Sequence, residues 1–175
     1  YDTSNVVIRA CETAYNLGAG IHYERARLGT IINNVSHHNH KRGIYLSNSS
    51  DCLVAHNICY KNGMSGIVAY GGMRPGDTKW VGAAGIVPAR RNRIFGNILV
   101  ENVNPRLMPT EWGRRRPELI LPDPGQGKEL FGDNQSDYNI FYRGEESFPF
   151  WFNYGDQQWS SLESWSASTG NDAQS

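Results

Sequence analysis

Apolar residues along this chain come in short runs closed by glycine or asparagine, and the runs recur at a fixed interval. Gly20-Ile21, Gly43-Ile44 and Gly66-Ile67 are 23 residues apart, and Ile8, Ile31 and Val54 keep the same spacing. Asn34 and Asn57 share that interval, each followed five positions on by another asparagine, Asn39 and Asn62. Asn97 and Asn102 repeat the pair 40 residues later, one period plus a 17-residue insertion. Repeats of this length imply a solenoid, in which each unit buries its apolar face by stacking on its neighbours. Rung one is expected at about 5–27, rung two at 28–50 and rung three at 51–73. A fourth starts near Arg91, and a fifth is marked by Ser136-Asp137-Tyr138-Asn139-Ile140-Phe141.

Runs such as Thr30-Ile31-Ile32 and Gly43-Ile44-Tyr45-Leu46 are too short for helices and rich in β-branched residues. About three strands per rung, each stacked on its equivalents at ~4.8 Å, give parallel sheets along a coil. Asparagine is expected at the corners because it tolerates left-handed backbone and because stacked asparagines form ladders. Asn34, Asn57 and Asn97 therefore read as structural.

Two segments break the period. The first, about 73–89, carries Arg74, Asp77, Lys79 and Trp80. The second, about 104–131, carries Trp112, the Arg114–Arg116 run and five prolines. Insertions in solenoids become loops on one side, often the binding side. Further on, Phe148-Pro149-Phe150-Trp151-Phe152-Asn153-Tyr154 reads as a plug over the last rung, with a sugar-stacking platform as the alternative. Ser160 and Glu163 read as a capping box opening a short helix with Leu162 and Trp165 inward.

The N-x-x-x-x-N-x-x-x-G-I pattern of Asn34–Ile44 and Asn57–Ile67 resembles the right-handed parallel β-helix superfamily that includes pectate lyases. The likeness covers roughly 5–105 well and 132–145 loosely. The tail from Ser136 to Ser175 is similar to the C-terminal part of bacterial β-helix proteins from carbohydrate-active families. The resemblance implies an all-β fold, a right-handed parallel β-helix of about four to five rungs with two loop insertions and a short C-terminal helix. It divides the chain into a β-helix, 1–145, and an aromatic cap, 146–175. It implies a polysaccharide or oligosaccharide partner and lyase-type or glycosidase-type action on an anionic glycan, in an extracellular or periplasmic setting. A non-catalytic glycan-binding or structural module, or an inactive fragment, is the alternative. Calcium serves some relatives; no cofactor is expected here, since no acidic cluster falls on the candidate face. The chain opens inside a repeat, so a longer parent protein is expected, and open rung ends offer a route to self-association.

Alternation after each Gly-Ile sorts the side chains. Ile21, Ile44 and Ile67 point inward, as do Tyr23, Leu46 and Ala69. His22, Tyr45 and Val68 then form one outward row, and Glu24, Ser47 and Tyr70 the next. Lys41 and Arg42 precede this strand and the first insertion follows it, which makes it the candidate ligand face. A lyase acting on uronic acids needs a cation for the carboxylate and a base for the carbon-bound proton. His22, Tyr45 or Tyr70 fits the base; Arg42, Arg74 or Arg91 fits the cation, and Trp80 a sugar contact. A glycosidase needs two carboxyl groups, for which Glu24 and Asp77 are the pair on offer. His37, His38 and His40 fall on a turn where consecutive side chains diverge, so no metal site is expected from them. The glycine-rich stretch 63–72 reads as a rung corner, since no helix follows it to form a phosphate loop.

Seventeen Lys and Arg balance seventeen Asp and Glu. The balance conceals an asymmetry: residues 73–116 hold nine basic residues against three acids, and residues 117–175 hold two against ten. A basic middle suits an anionic ligand. Net neutrality gives no expectation of nucleic acid, and no apolar run approaches the ~18 residues of a membrane span. Cys11, Cys52 and Cys59 are an odd number without metal spacing and read as thiols.

Overall fold

The structure, a computed structural model, describes residues 3–71, 88–102, 118–122, 132–142, 152–154 and 157–175, with backbone alone at 152–154, 157 and 158. Three parallel sheets run the length of a right-handed parallel β-helix. The first stacks β2 (Val7–Arg9), β6 (Thr30–Ile32), β9 (Leu53–Ala55), β12 (Arg93–Phe95) and β15 (Gln135–Asp137). The second stacks β3 (Glu12–Ala14), β7 (Val35–His37), β10 (Ile58–Tyr60), β13 (Ile98–Val100) and β16 (Ile140–Tyr142). The third stacks β4 (Ile21–Glu24), β8 (Arg42–Ser47), β11 (Ser65–Tyr70), β14 (Leu119–Leu121) and β17 (Phe152–Tyr154). A short pair, β1 (Thr3–Ser4) with β5 (Ala26–Arg27), joins the first turn to the second.

The register follows the repeat. Ile8 pairs with Ile31 and Ile31 with Val54, while Ile21 pairs with Ile44 and Ile44 with Ile67. Apart from Ile8, which is partly buried and packs against it, their side chains form one continuous buried core with Leu46, Ile94, Leu99, Leu119 and Leu121. Each such aliphatic group contributes about 1.5–3 kcal/mol when fully buried. Leu119–Leu121 lies inside the span read from sequence as one insertion. It is the third-sheet strand of rung four, with Leu119 opposite Ile67. Likewise β17, read as part of the aromatic cap, supplies that sheet in rung five.

The corners correct one expectation about asparagine. Sixteen non-glycine residues among those described have positive φ, and they recur at corresponding corners: Tyr15, His38, Lys61 and Glu101 at one, Ala10, Asn33, His56 and Tyr138 at another. The left-handed position is thus filled by varied residues, at about 1–2 kcal/mol each. The ladder asparagine is the residue after it. Its role is hydrogen bonding: Asn57 Oδ1 accepts from the Asn34 backbone N–H and from Asn34 Nδ2, and Asn57 Nδ2 donates to Asn97 Oδ1. Two ladders end on buried carboxylates. Asn102 Nδ2 donates to Glu118 Oε2 and Asn139 Nδ2 to Asp172 Oδ1, each at 2.8 Å. A third ladder, Cys52–Asn92–Asn134, escaped the sequence reading.

The C-terminal elements cover part of the last rung. β18 (Gln157–Trp159) pairs antiparallel with β17 and covers the edge of the third sheet. Helix α1 (Leu162–Thr169) follows, with Trp165 fully buried and donating from Nε1 to Asp172. Its N-cap is Ser161, one residue later than expected, and Ser161 Oγ accepts from the Ser164 N–H. Glu163 sits in the first turn, where its own backbone N–H and then Ser161 hold its carboxyl below the usual range. Gly170 ends the helix in the left-handed conformation.

Candidate functional site

The third sheet carries the candidate face. Gly43 lets β8 begin close over the ladder, since a Cβ there would meet the Gly66 carbonyl oxygen at 2.6 Å and Cys59 Sγ at 2.9 Å. That approach fixes where Arg42 and Tyr45 emerge. The outward row runs His22, Tyr45, Val68, Ile120 in register. His22 stacks on Tyr45 with ring centroids 4.8 Å apart and 17° between planes. The Arg42 guanidinium lies 4.2 Å from the Tyr45 ring centroid. Glu24 Oε2 is 3.8 Å from His22 Nε2, and Glu24 Oε1 is 4.0 Å from Arg25 Nε. A cation, an aromatic ring, an imidazole and a carboxylate thus meet in one connected group.

The row is not evenly open. His22 and Glu24 side chains are 46% and 42% exposed, whereas Tyr45 is 9%, Ile120 8% and Val68 1% exposed. Tyr45, Val68 and Ile120 form a second apolar cluster with Ala19 against it. Ser47, expected to face outward with Glu24 and Tyr70, is also buried, while Tyr70 is 53% exposed. Arg91 stands elsewhere, at the corner beyond the far end of the third-sheet strands. Its Nε and Nη2 hold both oxygens of Asp51 at 2.6 and 2.8 Å, and this pairing raises the guanidinium pKa further. Arg74, Asp77 and Trp80 lie outside the described residues, as do Phe148–Trp151.

With this geometry in place, comparison with known proteins is informative about fold. A family model described as "right handed beta helix region" matches residues 1–104. The chain belongs to the right-handed β-helix family. No curated protein matches it. Among solved structures, the chain is similar to the A-module of the mannuronan C-5 epimerase AlgE6 of Azotobacter vinelandii, at 16% identity and a TM-score of 0.44. The match covers 88% of this chain and 54% of that one, so the chain spans about half the length of the module.

On this β-helix a second group of polar and aromatic side chains lies at the corner after the second sheet. The sequence reading set His37 and His38 on a turn with diverging side chains. His37 is the last residue of β7 and His38 is left-handed with φ 50°. That reversal brings the rings together, with the two Nδ1 atoms 2.8 Å apart. Glu12, Tyr15 and Tyr60 adjoin them. The N-x4-N ladder could have located this corner from sequence, because the residue before each ladder asparagine takes the left-handed turn. Among the described residues no group of three or more His, Cys, Asp or Glu is arranged to hold a metal ion. None of the described helices is long and apolar enough to cross a membrane.

Proposed function

We propose that this β-helix binds an anionic polysaccharide across the third-sheet face and acts on it as a lyase. A uronic acid unit loses its C5 proton, the C4–O glycosidic bond breaks as C4=C5 forms, and the departing oxygen takes a proton from solvent. The observation that carries the reading is the His22–Tyr45–Arg42–Glu24 group. Arg42 supplies the charge that a uronate carboxylate needs as its α-carbon loses a proton. His22, half-exposed beside Glu24, is the group in this cluster suited to take the proton. Tyr45 stacks on the His22 ring and lies under the Arg42 guanidinium, and its own burial sets it apart from the exposed His22 as a base. Among the described residues the group holds a cation and an imidazole together, the pair that proton abstraction uses.

The test is incubation in D₂O with alginate, polygalacturonate and other polyuronates. Ultraviolet absorbance reports the unsaturated product of elimination, and deuterium entering uncleaved sugar reports abstraction that is reversed before the leaving group departs. His22→Ala should remove whichever of the two signals the unaltered protein gives, while the folded signature is kept. If every substrate returns neither signal, the catalytic reading fails. The burial of Tyr45, Val68 and Ile120 specifically favours a second reading, a non-catalytic glycan-binding or structural module, and retained binding without turnover would select the binding module.

A further inference from the structure

The corner after β3, β7 and β10 holds a chain of hydrogen bonds that the third-sheet face does not use. Glu12 Oε1 lies 2.8 Å from His37 Nε2, and His37 Nδ1 lies 2.8 Å from His38 Nδ1. The two imidazole centroids are 5.0 Å apart, so the Nδ1 atoms lie close to the line joining the ring centres. That is the geometry of an N–H···N hydrogen bond, whereas a metal shared by both rings would bend the approach. An ionised carboxylate only accepts, so the network assigns the His37 proton to Nε2, donated to Glu12. His37 Nδ1 is then an acceptor, and His38 Nδ1–H donates to it. His38 Nε2 is left with its lone pair, and no described residue donates to it.

The surroundings suit a particular ligand. Tyr15, 75% exposed, stacks on His38 with centroids 5.4 Å apart, and Tyr60 meets His38 edge-on at 5.5 Å. Lys61 occupies the same corner position one rung on, with Glu101 at 3.9 Å. Burial, then His37, then Lys61 hold His38 below the ordinary imidazole range, so Nε2 stays neutral near pH 7. A neutral acceptor, an ammonium group and an exposed aromatic ring match a uronic acid unit, which offers hydroxyl donors, a carboxylate and an apolar ring face.

We propose that this corner is a second glycan site, in which Glu12 and His37 fix His38 Nε2 as the acceptor for a sugar hydroxyl. Lys61 takes the carboxylate and Tyr15 the ring face. The choice of an acidic sugar rests on the function proposed above; the hydrogen-bonded chain does not. Binding strengthens as pH rises through the His38 titration, with Glu12, His37, Tyr15, Tyr60, Lys61 and Glu101 as the groups facing it.

Long-range ¹H–¹⁵N NMR of the whole chain, with trimers of galacturonic and mannuronic acid as probes, tests both parts. The expected tautomers are Nε2–H for His37 and Nδ1–H for His38. A trimer should shift the His38 Nε2 and Tyr15 signals. His38→Asn, which tolerates the left-handed turn, and Lys61→Gln should each weaken that binding by about tenfold or more, the loss of one charge-assisted or fixed hydrogen bond. Read at the His38 and Tyr15 signals alone, His22→Ala should leave corner binding within about twofold, as expected for an independent site. A His38 Nε2–H tautomer overturns the chain of hydrogen bonds. Unchanged affinity in both corner variants, or no trimer binding at all, overturns the site. A loss confined to His22→Ala overturns the site while leaving the third-sheet reading standing.

Discussion

Replacing Asn57 by alanine should cost this fold a large share of its stability. Asn57 is fully buried, and its side chain makes five hydrogen bonds. Oδ1 accepts from Asn34 N–H at 3.0 Å and Asn34 Nδ2 at 2.9 Å, while Nδ2 donates to Asn97 Oδ1, Ile31 O and Ala55 O. Not all five losses count equally. Asn34 Nδ2 keeps Ile8 O, Asn97 Oδ1 keeps the Asn57 backbone N–H, and Ala55 O keeps Asn33 N–H. The buried Asn34 N–H loses its Asn57 acceptor, worth about 1–3 kcal/mol, and the weakened carbonyls add about 1 kcal/mol. The vacated amide volume adds about 1 kcal/mol more. The sum, about 3–5 kcal/mol, is a large share of the ~5–15 kcal/mol that holds a typical domain folded. Urea unfolding followed by circular dichroism measures it, and an unchanged slope would show that the loss lies in the native state. A loss under about 1 kcal/mol, the level of an ordinary surface substitution, would refute the view that the ladder holds the rungs together.

Trp165→Ala should cost about 3–5 kcal/mol, because the ring is fully buried on the last rung and donates to Asp172; a loss below about 1 kcal/mol by the same unfolding assay would show that the helix is not a cap. Burial pushes the Cys52 thiol up to about 11 and the Cys59 thiol higher still. Iodoacetamide at pH 8 should therefore label exposed Cys11 alone in the folded protein, and mass spectrometry finding rapid labelling at Cys59 would contradict the buried column. His38 has a lowered pKa in the fold, so the unfolded chain binds more protons between the two values. Its contribution to stability is complete above the unfolded imidazole pKa and is lost as pH falls through the folded one; a His38→Asn variant should flatten that slope, and an unaltered slope would count against it.

The rung architecture was legible because stacking repeats one geometry, so Ile21, Ile44 and Ile67 had to recur at the same step. The ladders were legible for the same reason, and two of the three were found. What was not legible has two physical sources. Strands β14 and β17 follow long interruptions, so the period no longer counts the register, and Leu119-Ile120-Leu121 is too short a run to announce itself. The corner at His38 was misread because alternation along a strand fails where the next residue turns left-handed. That turn brings His37 and His38 together instead of apart. On the candidate face, alternation correctly separated His22 from Tyr23 but says nothing of what covers an outward position, and Tyr45, Val68 and Ile120 are covered.

The claim that matters most is that an anionic glycan engages the Arg42–Tyr45–His22 group. Calorimetric titration of the folded chain with a polyuronate oligomer, repeated with Arg42→Ala, tests it directly. Measurable binding is expected, weakening with salt and falling by about tenfold or more in the variant, the worth of one charge-assisted contact. Equal affinity in the two proteins would contradict it.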